Sequence, residues 1–189
     1  MTRIIAGTAR GRRLQVPPGG TRPTTDRVRE ALFASLEHLL GGFAGVRVLD
    51  LFAGSGALGL EAMSRGAAGA VLVERDRATA AVARRNAEVV GAAGAQVVVG
   101  SVRGHLAGDP TPFDLVLADP PYAMPASEVE GLLVRLTQGW LAPDAVVVVE
   151  RQAKGGAFGW PEGLVALREA RYGSTTLWYG RGAPEREDP

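Results

Sequence analysis

VRVLDLFAGSGALG, residues 46–59, joins an apolar run, a glycine turn and the start of a helical pattern. The run at 46–51 is short, carries β-branched residues and is bounded by glycines, as expected for a buried strand of a parallel sheet. Ala57, Leu58, Leu60, Ala62 and Met63 favour a helix that follows at once, with Gly66 placed to end it in a left-handed cap. Strand, glycine turn and helix make a nucleotide-binding unit. In it Gly54 and Gly56 let the backbone approach a ligand, and Gly59 lets the helix lie close on the sheet.

Residues 54–59 also satisfy the G-x-G-x-x-G pattern of NAD-binding folds, and Glu74 lies twenty residues past Gly54. Asp50 weighs against a dinucleotide. An acid at the end of the first strand repels a pyrophosphate and suits a cationic ligand, such as the amino-acid end of S-adenosylmethionine. Glu74, after the apolar run at 70–73, would then accept hydrogen bonds from both ribose hydroxyls. The bland alternative for Glu74 is a solvated acid at a strand end.

A second chemical signal stands after the buried-strand pattern at 113–118, where the chain reads Asp119-Pro120-Pro121-Tyr122. In open α/β sheets ligands bind outside the carboxyl ends of the strands, so this tetrapeptide is expected to face the same crevice as the glycine loop. The two prolines fix φ and remove two donors, leaving rigid carbonyl acceptors. Asp119 adds a carboxylate, and Tyr122 a flat face for stacking a planar ring. Together they form a receptor for an amino group on a planar system. Asp119 and the Pro120 carbonyl would accept its two N–H bonds and turn the nitrogen lone pair toward an electrophilic methyl.

The 189 residues, 46% hydrophobic, suffice for one sizeable α/β core with small appendages. With no cysteine, and His38 and His105 the only histidines, neither a disulfide framework nor a thiolate or histidine-rich metal site is expected. No run approaches the eighteen or so apolar residues of a membrane span and no signal core is seen at the start, so a cytoplasmic protein is expected. The net charge of +1 hides an asymmetry: residues 1–30 carry seven arginines against Asp26 and Glu30, a net +5. A basic arm on a mildly acidic body points to a polyanionic partner, against the alternative of a solvated face in an arginine-rich protein.

In chain order, runs at 3–6 and 12–16 around Gly7 and Gly11 read as a hairpin, broken off by Pro17, Pro18, Gly19 and Gly20. A helix capped at 24–26 should bury Val28, Leu32, Leu36, Leu39 and Leu40 and carry Arg27 and Arg29 outward. A helix at 78–90 should place Ala81, Val82, Ala83, Val89 and Val90 toward the sheet. A strand at 96–99 and a short helix at 102–108 follow. Ser127 and Glu130 have the spacing of a capping box for a helix to about residue 138. Strands are expected at 145–149, 164–172 and 175–179, with a loop at 155–163.

Residues 50–56 (DLFAGSG) with Asp119-Pro120-Pro121-Tyr122 resemble the class I S-adenosylmethionine-dependent amino-methyltransferases. ARGRRL at 9–14 and RPTTDRVREALF at 22–33 are similar to the bacterial family that methylates the exocyclic N2 of a guanine in 16S ribosomal RNA, the RsmD family. The resemblance spans residues 3–179. It implies a Rossmann-like α/β fold, with a seven-stranded, mostly parallel sheet, an antiparallel carboxy-terminal edge and a small N-terminal β-hairpin. The expected domain organisation is a basic hairpin arm at 1–22, a methyltransferase domain at 23–181 and, from its charged composition, a disordered tail at 182–189.

Carried onto this chain, the resemblance assigns Asp50, Phe52, Ala53, Gly54 and Gly56 to the methionine part of S-adenosylmethionine and Glu74 to its ribose. Asp119, Pro120 and Tyr122 would hold the guanine, at the family's guanine-966 site, and Arg10, Arg12, Arg13 and Arg22 would bind the RNA. The family's pattern has Gly-Asp where this chain has Gly100-Ser101, so Ser101 would meet the adenine through its hydroxyl or backbone. The mechanism implied is direct in-line methyl transfer, with no covalent enzyme intermediate and no metal. Because it precedes the first strand of the nucleotide-binding unit, the arm is expected to lie outside the cofactor crevice. Two rival readings are a DNA amino-methyltransferase acting on adenine N6 or cytosine N4, disfavoured by the short chain, and a non-catalytic RNA-binding assembly protein, disfavoured by the intact tetrapeptide.

Overall fold

A computed structural model describes residues 2–17, 25–153 and 158–183. Two short strands, β1 (Thr2–Arg3) and β2 (Arg13–Leu14), pair antiparallel and precede helix α1 (Asp26–Leu40). There follow β3 (Arg47–Leu51), α2 (Ala57–Ser64), β4 (Gly69–Glu74), α3 (Arg77–Val90), β5 (Ala95–Val99) and α4 (Val102–His105). The chain continues through β6 (Phe113–Ala118), α5 (Ala126–Leu136), β7 (Leu141–Gln152), β8 (Leu164–Tyr172) and β9 (Thr175–Gly182).

The strands from β3 onward form one seven-stranded sheet in the order β5-β4-β3-β6-β7-β9-β8. The first five are parallel to one another, and β9 and β8 close the edge in antiparallel pairing. Both faces of the central strands β4, β3, β6 and β7 are covered, which is why these strands read as apolar runs. Val48, Leu72, Leu115, Leu117, Val146 and Val148 pack on one face with Leu32 and Phe33 of α1 and Leu60 of α2. Their odd-phase neighbours Leu49, Leu51, Val73, Val116, Val147 and Val149 pack on the other with Leu133 and Leu136 of α5. Each such fully buried side chain contributes about 1.5–3 kcal/mol, an upper estimate set by the extended-chain reference.

From β3 the chain runs out to β4 and β5 on one side and then crosses to β6 on the other. This reversal opens a crevice at the carboxyl ends of β3 and β6. Register brings the two sequence signals together there: Leu51 stands opposite Ala118, and the Asp119 N–H reaches the Leu51 carbonyl at 3.5 Å.

Several local expectations are corrected. The hairpin ladder spans two residue pairs, because the N–H groups of Ile5 and Ala6 donate to the buried Glu61 carboxylate of α2 (2.7 and 3.0 Å) instead of extending it. Arg29 does not point outward. It is 1% exposed beneath the hairpin, where it donates to Thr2 Oγ1 at 2.7 Å, to the Arg3 carbonyl and to Asp26 at 3.0 Å. In α3 the buried face is Ala80, Val82, Ala83, Asn86 and Ala87, so Val89 turns to solvent. Ser127 caps nothing: α5 begins beside Pro125, and Glu130 accepts from the Gly159 N–H at 2.7 Å. Residues 18–20, Arg22, part of the expected loop at 155–163 (155–157) and the tail from 184 lie outside the described residues. Among the described residues, no helix is long and apolar enough to cross a membrane.

Candidate functional site

The crevice holds a cavity of about 570 Å³, within the range of small-molecule sites. Its walls include Asp50, Phe52, Ala53, Gly54, Glu74, Ser101, Asp119, Pro120 and Tyr122, so these expected site residues converge. Gly56 does not line it but supplies the left-handed N-cap of α2. Arg10, Arg12 and Arg13 lie apart, exposed on the hairpin. The Arg12 guanidinium donates to the Val89 carbonyl at the end of α3.

The glycine loop is held by its neighbours. At Gly59 the helix passes so close to β4 that an added Cβ would lie 2.2 Å from Leu72 Cδ2, and its N–H donates to Asp50 Oδ2 at 2.9 Å. Glu74 uses both oxygens on backbone, accepting from Gly54 N–H (3.0 Å) and from Asp76 N–H (2.8 Å). Each oxygen keeps a further lone pair for a ligand hydroxyl. Phe52 takes φ 64°, a left-handed conformation costly for a bulky residue and characteristic of ligand-binding turns. Ser101 spends its Oγ capping α4, accepting from Gly104 N–H at 3.0 Å.

Across the cavity, the Asp119 turn is closed by Met124 N–H donating to the Pro121 carbonyl (2.8 Å). Buried Arg151 donates to the Met124 carbonyl at 2.8 Å. Tyr122, 42% exposed, stands at the mouth.

The electrostatics are one-sided. Burial pushes the Asp50 carboxyl up to about 7, against the pull of the Gly59 N–H, with Glu74 adding to the rise. Burial also raises Asp119 well above the usual carboxylate range, followed by the charges of Glu150 and Asp50. Carboxyls so crowded favour a cationic guest, which would offset both desolvation and mutual repulsion. Among the described residues no group of acids and histidines is arranged to hold a metal ion.

Sequence reading missed several participants. Val16, Pro17 and Arg29 line the cavity, so the segment after the hairpin is a wall of the crevice and does not lie outside it. Asn86, Glu150 and Arg151 carried no motif at all.

The family model described as conserved hypothetical protein 95 matches residues 2–181. The chain is 45% identical over 155 residues to the ribosomal RNA small subunit methyltransferase D of Escherichia coli K12, covering 82% of this chain and 76% of that protein. The protein of the same name from Haemophilus influenzae is 35% identical over 176 residues, 90% and 89% of the two chains. The solved structure of the Escherichia coli protein yhhF superposes with a TM-score of 0.86 at 39% identity, covering 97% of this chain and 99% of its own.

Proposed function

Because the chain belongs to the family described as conserved hypothetical protein 95, that of the ribosomal RNA small subunit methyltransferase D proteins, we propose that it methylates 16S ribosomal RNA with S-adenosylmethionine. The target is the exocyclic N2 of a guanine, the family's guanine-966 site, met in the cytoplasm on the small subunit or its precursor. One observation carries the reading: a glycine loop flanked by Asp50 and Glu74 and the Asp119-Pro120-Pro121-Tyr122 turn stand at adjoining strand ends in one cavity.

The residues fit the cofactor. Asp50 and the loop 52–56 would receive its cationic methionine end, Glu74 the ribose hydroxyls, and the backbone at Ser101 the adenine. Bound there, S-adenosylmethionine supplies a methyl on a sulfonium, already a strong electrophile, so orientation and exclusion of water are what the protein must add. Asp119 and the Pro120 carbonyl would accept the two N–H bonds of the guanine amine while Tyr122 stacks on the base. The same crowding that raises the Asp119 carboxyl makes its ionised form an apt acceptor for the proton the amine loses. The exposed Arg10, Arg12 and Arg13, together with Arg22, would hold RNA phosphates and so position the substrate, leaving base recognition to the crevice.

The test is mass-spectrometric mapping of methylated guanines in 16S ribosomal RNA from cells lacking the protein. The modification should vanish, return with the wild-type chain, and stay absent with Asp119→Ala. An unchanged guanine methylation pattern would refute the assignment.

A further inference from the structure

The amide of Asn86, fully buried on α3, makes three hydrogen bonds. Its Oδ1 accepts from the Gln15 N–H at 2.8 Å, and its Nδ2 donates to the Gln15 carbonyl at 3.0 Å and to the Ser55 carbonyl at 2.9 Å. An N–H bond and two carbonyls leave only one orientation in which the amide satisfies all three. One side chain thus binds the backbone just after the hairpin and the backbone of the glycine loop. Ser55, Val16 and Pro17 all line the cavity, while Asn86 stands behind them and does not.

The rest of the hairpin is fixed elsewhere. Thr8 N–H donates to the Ser64 carbonyl (2.8 Å) and Ala9 N–H to Ser64 Oγ (3.0 Å) at the far end of α2. Gly7 sits so close there that a Cβ would fall 1.8 Å from the Ser64 oxygen. The body of the hairpin therefore stays anchored whether or not residues 15–17 hold their place. Their place depends on the amide of Asn86, with an exposed 3.3 Å hydrogen bond from Arg85 to the Gln15 side chain as a lesser support.

We propose that Asn86 is a positioning residue that latches residues 15–17 onto the glycine loop, so that cofactor binding and the order of the N-terminal segment are one coupled equilibrium. A ligand in the cavity touches both latched segments and gains from their being held; by linkage, its binding holds them more firmly in return. The coupling is confined to residues 15–17 and the glycine loop; the body of the hairpin, anchored on Ser64, stays outside it. Without the amide, the Gln15 N–H and the carbonyls of Gln15 and Ser55 lose a shared partner, and the segment loses its reason to stay.

The inference rests on the cofactor reading, and the experiment separates the two. Calorimetry with S-adenosylmethionine on the wild-type chain comes first; no binding there would overturn the cofactor reading and the latch with it. Amide exchange of the same wild-type protein should then show the Gln15 N–H slowed at least about tenfold by S-adenosylmethionine, on the scale of a typical coupling between sites. The Thr8 and Ala9 amides, anchored on Ser64, should change far less. In Asn86→Ala the cofactor affinity should fall about tenfold or more, with KM for the methyl donor rising and kcat at saturation changing less than about twofold. Binding with unchanged Gln15 exchange would overturn the latch alone, even if the variant failed to fold. Equal loss of kcat and affinity would reduce Asn86 to a general structural role.

Discussion

The two loops that face each other across the crevice are held in opposite ways. The glycine loop is braced from below by Asp50 through Gly59, from the side by Glu74 through Gly54, and from behind by Asn86 through Ser55. The Asp119 turn has a long 3.5 Å bond at its root and an anchor at its far end, where Arg151 meets Met124, and it leaves Tyr122 partly open at the mouth. The difference matches two kinds of guest. A small ligand that is the same at every turnover repays a preformed, rigid cradle, whereas a nucleotide arriving on a large RNA needs an open face. On the proposed function, fixing the first loop sets where the reactive group would sit, and the second would then have to present only an acceptor and a flat ring.

The contrast can be broken most sharply at Asp119. Asp119→Ala should cut methyl transfer by roughly a hundredfold to a thousandfold, the scale of removing one oriented hydrogen-bonding group from the transition state. Calorimetry should find cofactor affinity within a few fold of wild type. A matching collapse of affinity would mean that the two loops do not divide the labour.

Glu74→Ala should give the mirror image with a smaller effect. Without the hydrogen bonds to Gly54 and Asp76 and the ribose contacts proposed for it, S-adenosylmethionine binding should weaken by about 1.5–3 kcal/mol, read by calorimetry, with saturated kcat close to normal.

A change of pH sharpens the comparison without mutation. Asp50 binds its proton up to about pH 7 in the folded chain but only to about pH 4 when unfolded, and Asp119 shifts in the same direction. Over that window the folded state holds more protons than the unfolded state, so the stability of the ligand-free protein should fall as pH rises from about 4 to 7. A cationic ligand favours the ionised forms. Its affinity should therefore rise with pH, by up to about tenfold per unit below 7 for one proton released. Melting curves and calorimetry at pH 5.5 and 7.5 check the two opposite slopes.

The smallest effect is expected from the hairpin. Replacing Arg10, Arg12 and Arg13 by alanine should lower the slope of log K for RNA against log salt by about 0.7–0.9 for each phosphate no longer neutralised. Cofactor affinity should stay close to wild type, because the Ser64 and Asn86 anchors of the segment do not use these side chains. Arg12 already donates to Val89, so it should contribute less to the salt slope than the other two.

Most strands and the two motifs were legible in sequence because they rest on local pattern, apolar runs, glycines and a proline pair, whereas the mostly parallel seven-stranded sheet came from the family resemblance. What was hidden rests on tertiary placement. Arg29 follows Val28 on a helix whose stripe reads Leu32 and Leu36, and nothing local says that a hairpin twenty-odd residues earlier will fold over it and supply oxygens. Asn86 reads as an ordinary polar residue between Arg85 and Ala87, and its worth depends on two backbone segments that reach it from 31 and 71 residues away. The expected capping box at Ser127 failed for the converse reason. Its glutamate had a better use, on Gly159, that no spacing rule could register.

The docking of the hairpin also sets a timetable for biosynthesis. Residues 5–15 are made well before their partners Glu61, Ser64, Asn86 and Val89, from which they are separated by 55–77 positions. At about 5–20 residues per second the arginine-bearing segment waits roughly 3–15 seconds on the nascent chain before these four partners are made. During that interval its charge is uncommitted, beside the phosphate-rich surface of the ribosome that is making it.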